Sequence, residues 1–373
     1  MNTPEFRREC AVTLQNAEQR TKELTAFVGF DGFVDNILHV VDKRESAEKY
    51  NRIRTIAKLA ERVAGAAGKS TNIELVTQRT KLGGNGPIMA NAMVSFGVKV
   101  CYLGNVGHPQ LHPIFADFAR SAEVHSILDP GYTDALEFED GKIMLGKHGL
   151  LKQFTWQLVS ERFGEHNLAT KLGDARFAAF VNWTHYPGMN EIWGAILSEI
   201  CPMLNGARRI LFFDLADPEK RTPQDIRRAL ELIAGFQKYF DVILGLNEKE
   251  SSEIGKVLGL DTSDHSPNGL ARLGQEILSF VPVSTLVIHP VAYAVAVSKA
   301  GVALAEGPFT ESPLITTGAG DHFNAGFCFG KLLDLNDAMS LLIGVSTSGF
   351  YVRTAKSPTI EEIVGLLNNW PTR

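Results

Sequence analysis

Residues 316–327 read TTGAGDHFNAGF, so that Gly318, Ala319 and Gly320, with almost no side chain between them, stand directly before the carboxylate of Asp321. The stretch reads as a loop running into a helix. Small residues let backbone N–H groups converge, and the positive end of the following helix adds to their field, which predicts an anion hole with an acid beside it. An acid in a first helical turn is also favourable for dipole reasons alone, so a plain stabilised helix start is the alternative. A dinucleotide fingerprint is excluded, because Phe323 occupies the place of its third glycine, where close helix packing needs a tiny residue.

Outward from this loop, strand-length apolar runs alternate with helical periodicity. Residues 4–24 read as a helix and residues 26–34 (AFVGFDGFV) as a buried strand. Further strands are expected at 99–103, 177–181, 209–213, 242–246, 285–288 and 292–297, with helical segments such as 225–239 between most of them. That alternation predicts an α/β sandwich around a mostly parallel sheet. Two regions break it. Residues 43–68 are charged and alanine-rich and read as an inserted helix, followed by an extended segment at 72–80. ALEFED and GKIMLG flank Asp140-Gly141, a two-residue hairpin signal. These pieces predict a small subsidiary sheet over one end of the main one.

The chain of 373 residues is 45% hydrophobic and 21% charged with a formal net charge of -5, and no apolar run is long enough to span a bilayer. Neither a membrane partner nor a nucleic acid is expected, since there is no basic footprint and an anionic ligand would have to be held by local dipoles or a few cations. Cys10, Cys101, Cys201 and Cys328 lack paired spacing, and MNTPEFRREC lacks the apolar core of a secretory signal, which predicts a reduced, cytoplasmic protein. No repeat, linker or like-charge block marks a boundary, so one continuous domain is expected. Three near-matches fail. Gly68-Lys69-Ser70-Thr71 lacks the first P-loop glycine, with Val63 in its place; the fifth residue of Gly344–Ser348 is not the glycine of a nucleophile elbow; and Pro109 and Pro113 break the helix that a His108/His112 metal pair would need.

Three further segments carry candidate chemistry. Residues 242–250 end a buried strand in NEKE, placing Asn247 and Glu250 at a helix start, where a capping box is the bland alternative. Gly83, Gly84 and Asn85 open a helical run through Ala90, Ala92 and Met93, where a ligand could approach bare backbone; a tight glycine turn is the alternative. Asp31, Phe33 and Asp35 alternate onto one face of the first strand, where polyol hydroxyls or turn N–H groups could satisfy two costly carboxylates.

Together, in this order and rough spacing, the GG segment, the NExE segment and TTGAGDHFNAGF resemble the ribokinase-like, or PfkB, family of carbohydrate kinases over about residues 26–366. The resemblance implies a three-layer α/β/α sandwich with a small β lid, the lid and insert lying within about 36–82 and 132–158 of a kinase domain at 26–373, behind a helical extension at 1–25. It implies transfer of the γ-phosphoryl group of ATP to a hydroxyl of a sugar or sugar derivative, with Mg2+ required. Asp321 is then the general base and Gly318, Ala319 and Gly320 the anion hole. Asn247, Glu250 and Thr317 serve the nucleotide phosphates and hydrated magnesium, and Asp31, Asp35, Gly83, Gly84 and Asn85 face the acceptor. A nucleoside kinase and a silent sugar- or nucleotide-sensing protein are the alternatives, and a homodimer through the lid is a further expectation. The sequence departs from the family pattern at Ile315, where an acid that helps hold a monovalent cation is usual; at Ile88, where an asparagine is usual; at Phe30-Asp31, where Gly-Asn is commoner; and at Ile288-His289-Pro290, where Thr-x-Gly is usual.

Overall fold

In the computed structural model, which describes residues 2–371, the strands in chain order are β1 (Thr25–Phe30), β2 (Phe33–Arg44), β3 (Tyr50–Arg52), β4 (Leu75–Gly83), β5 (Lys99–Gly104), β6 (Glu123–Ser126), β7 (Gly131–Phe138), β8 (Gly141–Lys147), β9 (Phe177–Phe180), β10 (Arg209–Asp214), β11 (Phe240–Leu246), β12 (Thr285–Ile288), β13 (Tyr293–Ser298) and β14 (Gly301–Glu306). Nine of them form one sheet in the order β14-β13-β12-β11-β10-β9-β1-β5-β6, parallel from β12 to β6 and antiparallel at β13 and β14. Its strands are buried on both faces. In β1, Phe27 enters one packed layer with Phe180, Trp193 and Phe213, while Val28 enters the other with Met93, Phe327 and Leu341. In β11, Val242 and Leu244 join the first layer and Ile243 the second, the period-2 alternation of a sheet with helices on each side. Full burial of each such side chain contributes roughly 1.5–3 kcal/mol. The result is the three-layer α/β/α sandwich.

The chain runs from β1 outward through β5 and β6, then crosses back to β9 and proceeds the other way. Adjacent parallel strands β1 and β9 are thus a switch point, where the connections leave in opposite directions and open a crevice at the strands' carboxyl ends. Asp31 follows β1, Asn182 follows β9, Asp214 ends β10 and Asn247 follows β11. All four lie on that edge.

The second sheet is the lid. β2 pairs in parallel with β7 and antiparallel with β4 and β3, and β7 forms the expected hairpin with β8 across Glu139-Asp140. Leu38, Val40, Ile53, Leu59 and Leu136 form a small core of its own, to which the helix Ile56–Ala64 contributes Leu59. Leu151 and Phe154, toward the end of the expected lid range, pack into the main core instead. Residues 1, 372 and 373 of the expected domain extents lie outside the described residues. Among the described residues, no helix is long and apolar enough to cross a membrane.

Two expectations need correction. The strand expected at 26–34 is interrupted at Asp31-Gly32, so Asp31 does not share a strand face with Asp35. The backbone leaves the main sheet for the lid at Gly32, where it passes so close to Asn105 that a Cβ would lie 2.4 Å from the Asn105 carbonyl oxygen. Residues 43–68 are not one helix. β2 runs on to Arg44, β3 folds back on it, and only Ile56–Ala64 is helical, because Ile53 is drawn into the lid core by pairing that local propensity does not register.

Candidate active site

Two glycine-rich helix starts meet at the crevice. The helix Ala319–Leu332 begins at Gly318, whose φ of 93° suits glycine and whose missing side chain caps nothing. The N–H groups of Gly320 and Asp321 have no acceptor among the described residues, so the first turn presents free donors and a positive dipole end. The helix Asn85–Ser95 begins at Gly84, with a φ of 98°. Its first turn is already filled: the Asp31 carboxylate accepts from the Asn85 N–H at 2.8 Å, the Gly86 N–H at 2.7 Å and the Asn182 side-chain amide at 2.7 Å. A Cβ at Gly84 or Gly86 would strike this carboxylate, at 2.8 and 2.5 Å.

Asp31 therefore points inward, at 0% exposure, with its oxygens occupied by three donors. It was expected to face the acceptor; here it points into the start of the helix Asn85–Ser95. Burial raises its pKa to about 6 against the pull of those same donors.

Asp321 lies at the mouth of the crevice, partly exposed, and accepts from the Asn85 side-chain amide at 2.8 Å, which joins the two helix starts. Burial and then the Asp31 charge push its pKa up to about 8, with the Asn85 hydrogen bond and Lys81 opposing. A carboxyl group so raised is a stronger proton acceptor than an ordinary aspartate.

Asp35 sits in β2 beneath the lid, nearly buried, and a Cβ at Gly83 would come within 2.4 Å of its carboxylate. Strand pairing sets Lys81 of β4 and Thr133 of β7 directly opposite it, and directly paired residues share a face. Burial raises the Asp35 pKa, opposed first by Lys81. Glu137 lies on the same face as Thr133 and pairs with Lys142 of β8, whose ammonium donates to the Thr317 hydroxyl. The lid thus brings Lys142 to the loop before the helix Ala319–Leu332 and Lys81 into the field of Asp321. Burial lowers the pKa of both. Phe33, two residues before Asp35, packs edge-to-face with His148 and His185, which closes one side of the crevice.

At the other side, Asn247 and Glu250 form a reciprocal capping box: the Asn247 side chain accepts from the Glu250 N–H at 2.9 Å, and Glu250 accepts from the Asn247 N–H at 2.9 Å. The second Glu250 oxygen accepts from the Asp217 N–H at 2.9 Å. Each oxygen keeps a further lone pair. Asp214 accepts from the Asn324 amide at 2.8 Å, and burial followed by the charges of Glu250 and Asp321 pushes its pKa well up. Asn324 Oδ1 is buried without a partner. His289 stands over Gly320, where a Cβ would lie 3.3 Å from its Cε1, and its ring packs 4.7 Å from that of Phe323.

The crevice brings together Asp321, Gly318, Ala319, Gly320, Thr317, Asp35, Gly83, Gly84 and Asn85. Sequence reading missed Lys81, Lys142 and Asp214. Asp214 carried a signal, an acid closing a buried strand; the lysines carried none, since only strand register aims them inward. Asn91, three residues after Ile88 on the same helix, donates to Ser357 at 3.2 Å.

The arrangement, a free helix start beside a raised carboxyl under a cationic lid, suits transfer of an anionic group to a hydroxyl. Comparison with known proteins bears on this directly. The family model described as prokaryotic ketohexokinase matches residues 5–370. A ketohexokinase of Haloferax volcanii is 31% identical over 337 residues, 90% of this chain and 88% of that protein. Among solved structures, Arabidopsis thaliana ribokinase complexed with ribose and ATP aligns with a TM-score of 0.63 at 14% identity, covering 92% of this chain and 98% of that one. The nucleoside kinase of Methanocaldococcus jannaschii aligns at 0.59 and 15%, covering 92% and 98%, and at such identities these two show the shared fold. The chain belongs to the prokaryotic ketohexokinase family and is a ribokinase-like carbohydrate kinase that uses ATP.

Proposed function

We propose that the acceptor is a ketohexose and that Asp321 takes the proton of its attacking hydroxyl. The observation that supports the roles is the Asn85–Asp321 hydrogen bond, which sets a partly exposed carboxyl group with a raised pKa between the acceptor-side and phosphate-side helix starts. The ketohexose itself rests on the family match. Asp35 accepts hydrogen bonds from acceptor hydroxyls, with bare backbone at Gly83 and Gly84 allowing close approach. The free N–H groups at the start of Ala319–Leu332 receive the charge that phosphoryl transfer spreads over the equatorial oxygens. Lys142 and Lys81 add positive charge from above, and the closed lid excludes water that would compete as acceptor.

The residues present fit a magnesium ion. Asp214 and Glu250 are buried carboxylates without a cation of their own, and the nearby Lys249 is already engaged by Asp217 and Glu219 at 2.6 and 2.5 Å. Asp214, Glu250 and the orphaned Asn324 Oδ1 would hold the ion, directly or through its waters, and when bound it neutralises phosphate charge. A reduced, cytoplasmic setting belongs to the same reading, supported by four free cysteines; recovery of the protein from a secreted fraction would count against it.

The test is release of ADP from ATP across D-fructose and other ketohexoses, aldohexoses, ribose and nucleosides. Fastest turnover of a ketohexose is expected. Preference for a nucleoside would replace the acceptor, and binding of a sugar with no turnover would favour a sensor. Asp35→Ala should raise acceptor KM and leave ATP KM unchanged; the reverse pattern would move the acceptor contact elsewhere.

A further inference from the structure

Two consecutive carbonyls of the anion-hole loop are tied from behind. The Tyr351 hydroxyl, from the helix Asp337–Thr354, donates to the Thr317 carbonyl at 2.8 Å. His322 Nδ1 lies 2.7 Å from the Gly318 carbonyl. A carbonyl oxygen only accepts, so Nδ1 carries the ring proton, and Nε2 accepts from the Ser357 hydroxyl at 2.9 Å. Ser357 in turn accepts from the Asn91 amide on the helix Asn85–Ser95. The rings of His322 and Tyr351 stack with centroids 3.7 Å apart and planes 14° from parallel.

In a planar trans peptide the C=O and N–H point in opposite directions. Holding the Thr317 carbonyl back therefore turns the Gly318 N–H to the far side, and holding the Gly318 carbonyl fixes the plane of the next peptide, whose Ala319 N–H closes a turn onto the Thr316 carbonyl at 3.1 Å. The Gly318 carbonyl also accepts the His322 backbone N–H at 3.1 Å, and the side-chain contacts add a second hold on a glycine whose φ of 93° leaves it wide freedom. Donors that are oriented before reaction cost no reorganisation during it.

We propose that His322 and Tyr351 are positioning residues for phosphoryl transfer: they pin the Thr317 and Gly318 carbonyls, which turns the Gly318 N–H toward the migrating group and seats the helix start that carries the free Gly320 and Asp321 N–H groups. Through Ser357 and Asn91 they also lock this loop to the helix whose first residue, Asn85, holds Asp321. The inference rests on the reading of residues 318–320 as the anion hole.

His322→Phe keeps a ring on Tyr351 but removes both nitrogens, Tyr351→Phe removes one hydroxyl, and His322→Gln restores an N–H donor. With ATP and D-fructose, kcat should fall about tenfold for each Phe variant, less than the 10²–10³ lost with an anion-hole donor itself. Acceptor KM and the unfolding midpoint should stay near wild type, and the Gln variant should recover part of kcat. Unchanged kcat in both Phe variants, or a Gln variant no better than His322→Phe, would overturn the proposal. The tautomer is a readout that needs no turnover: 15N chemical shifts of wild-type His322 should show a protonated Nδ1, and a protonated Nε2 would overturn the clamp whatever the substrate. A wild-type protein inactive on D-fructose but with Nδ1 protonated would count against the ketohexose reading and support the clamp.

Discussion

The starts of the helices Asn85–Ser95 and Ala319–Leu332 are built from the same chemistry and serve opposite ends. Each follows a glycine with positive φ, and each gathers N–H groups at a positive dipole end. At the first, the chain supplies its own anion: Asp31 fills the turn, takes its donors and ties in Asn182 as well. At the second nothing among the described residues fills the turn, and the nearby carboxyl group of Asp321 accepts a side-chain hydrogen bond from the other helix start. A helix start is structural when the protein brings the anion and functional when it leaves the place for one. The carboxylates report the difference, about 6 for the well-bonded Asp31 and about 8 for the sparsely bonded Asp321.

The largest test of this contrast is Asp321→Asn, which keeps size and the Asn85 partner but removes the proton acceptor. Single-turnover phosphoryl transfer should fall by roughly 10²–10⁴, the usual contribution of a general base. Near-normal transfer would break the comparison by making the open helix start as structural as the filled one. Next, Asp31→Ala should act on stability first. It leaves the Asn85 and Gly86 N–H groups and the Asn182 amide without their acceptor, and denaturant unfolding should show a loss of about 1–3 kcal/mol. Loss of activity with stability untouched would place Asp31 among the substrate contacts after all.

The pH profile sharpens the point. The raised Asp321 pKa means that kcat/KM, which follows the free enzyme, should climb as pH rises through about 8. Lys81 lowers that pKa, so Lys81→Met should move the climb to higher pH. A shift to lower pH would show that the two groups are not coupled as described. The smallest effect is on the fold. A carboxyl raised from its ordinary value to about 8 binds protons more tightly when folded, so its stabilising contribution is fully present below its unfolded pKa and is lost as pH rises toward 8. Asp321→Asn removes that liability, which solvent at the partly exposed group moderates, and the melting temperature above pH 8 should rise by roughly 1–2 °C, the change that about 1 kcal/mol makes in a chain of this length. A lowered melting temperature would mean that the carboxylate stabilises the fold.

Sequence alone settled the sandwich and the elements whose signals are local. Apolar runs of strand length marked most strands of the main sheet, because a strand buried on both faces must be apolar throughout. Asp140-Gly141 marked the lid hairpin, and TTGAGDHFNAGF marked the open helix start, because turn conformation and dipole are properties of a few neighbouring residues. The rest was decided between segments far apart in the chain. Asp31 and Asp35 looked alike in one strand pattern, and only the break at Gly32, where the chain passes close to Asn105, separates them, one turned inward to cap a helix and the other under the lid. Lys81 and Lys142 carry no local mark of function; cross-strand register sets them over the crevice, and register depends on pairing with β2 and β7. His322 stood in plain view beside Asp321, but its work depends on Gly318, Tyr351 and Ser357 arriving around it from three segments. Local sequence fixes where donors and acids can occur, and packing alone decides which of them the protein satisfies for itself and which it leaves for a ligand.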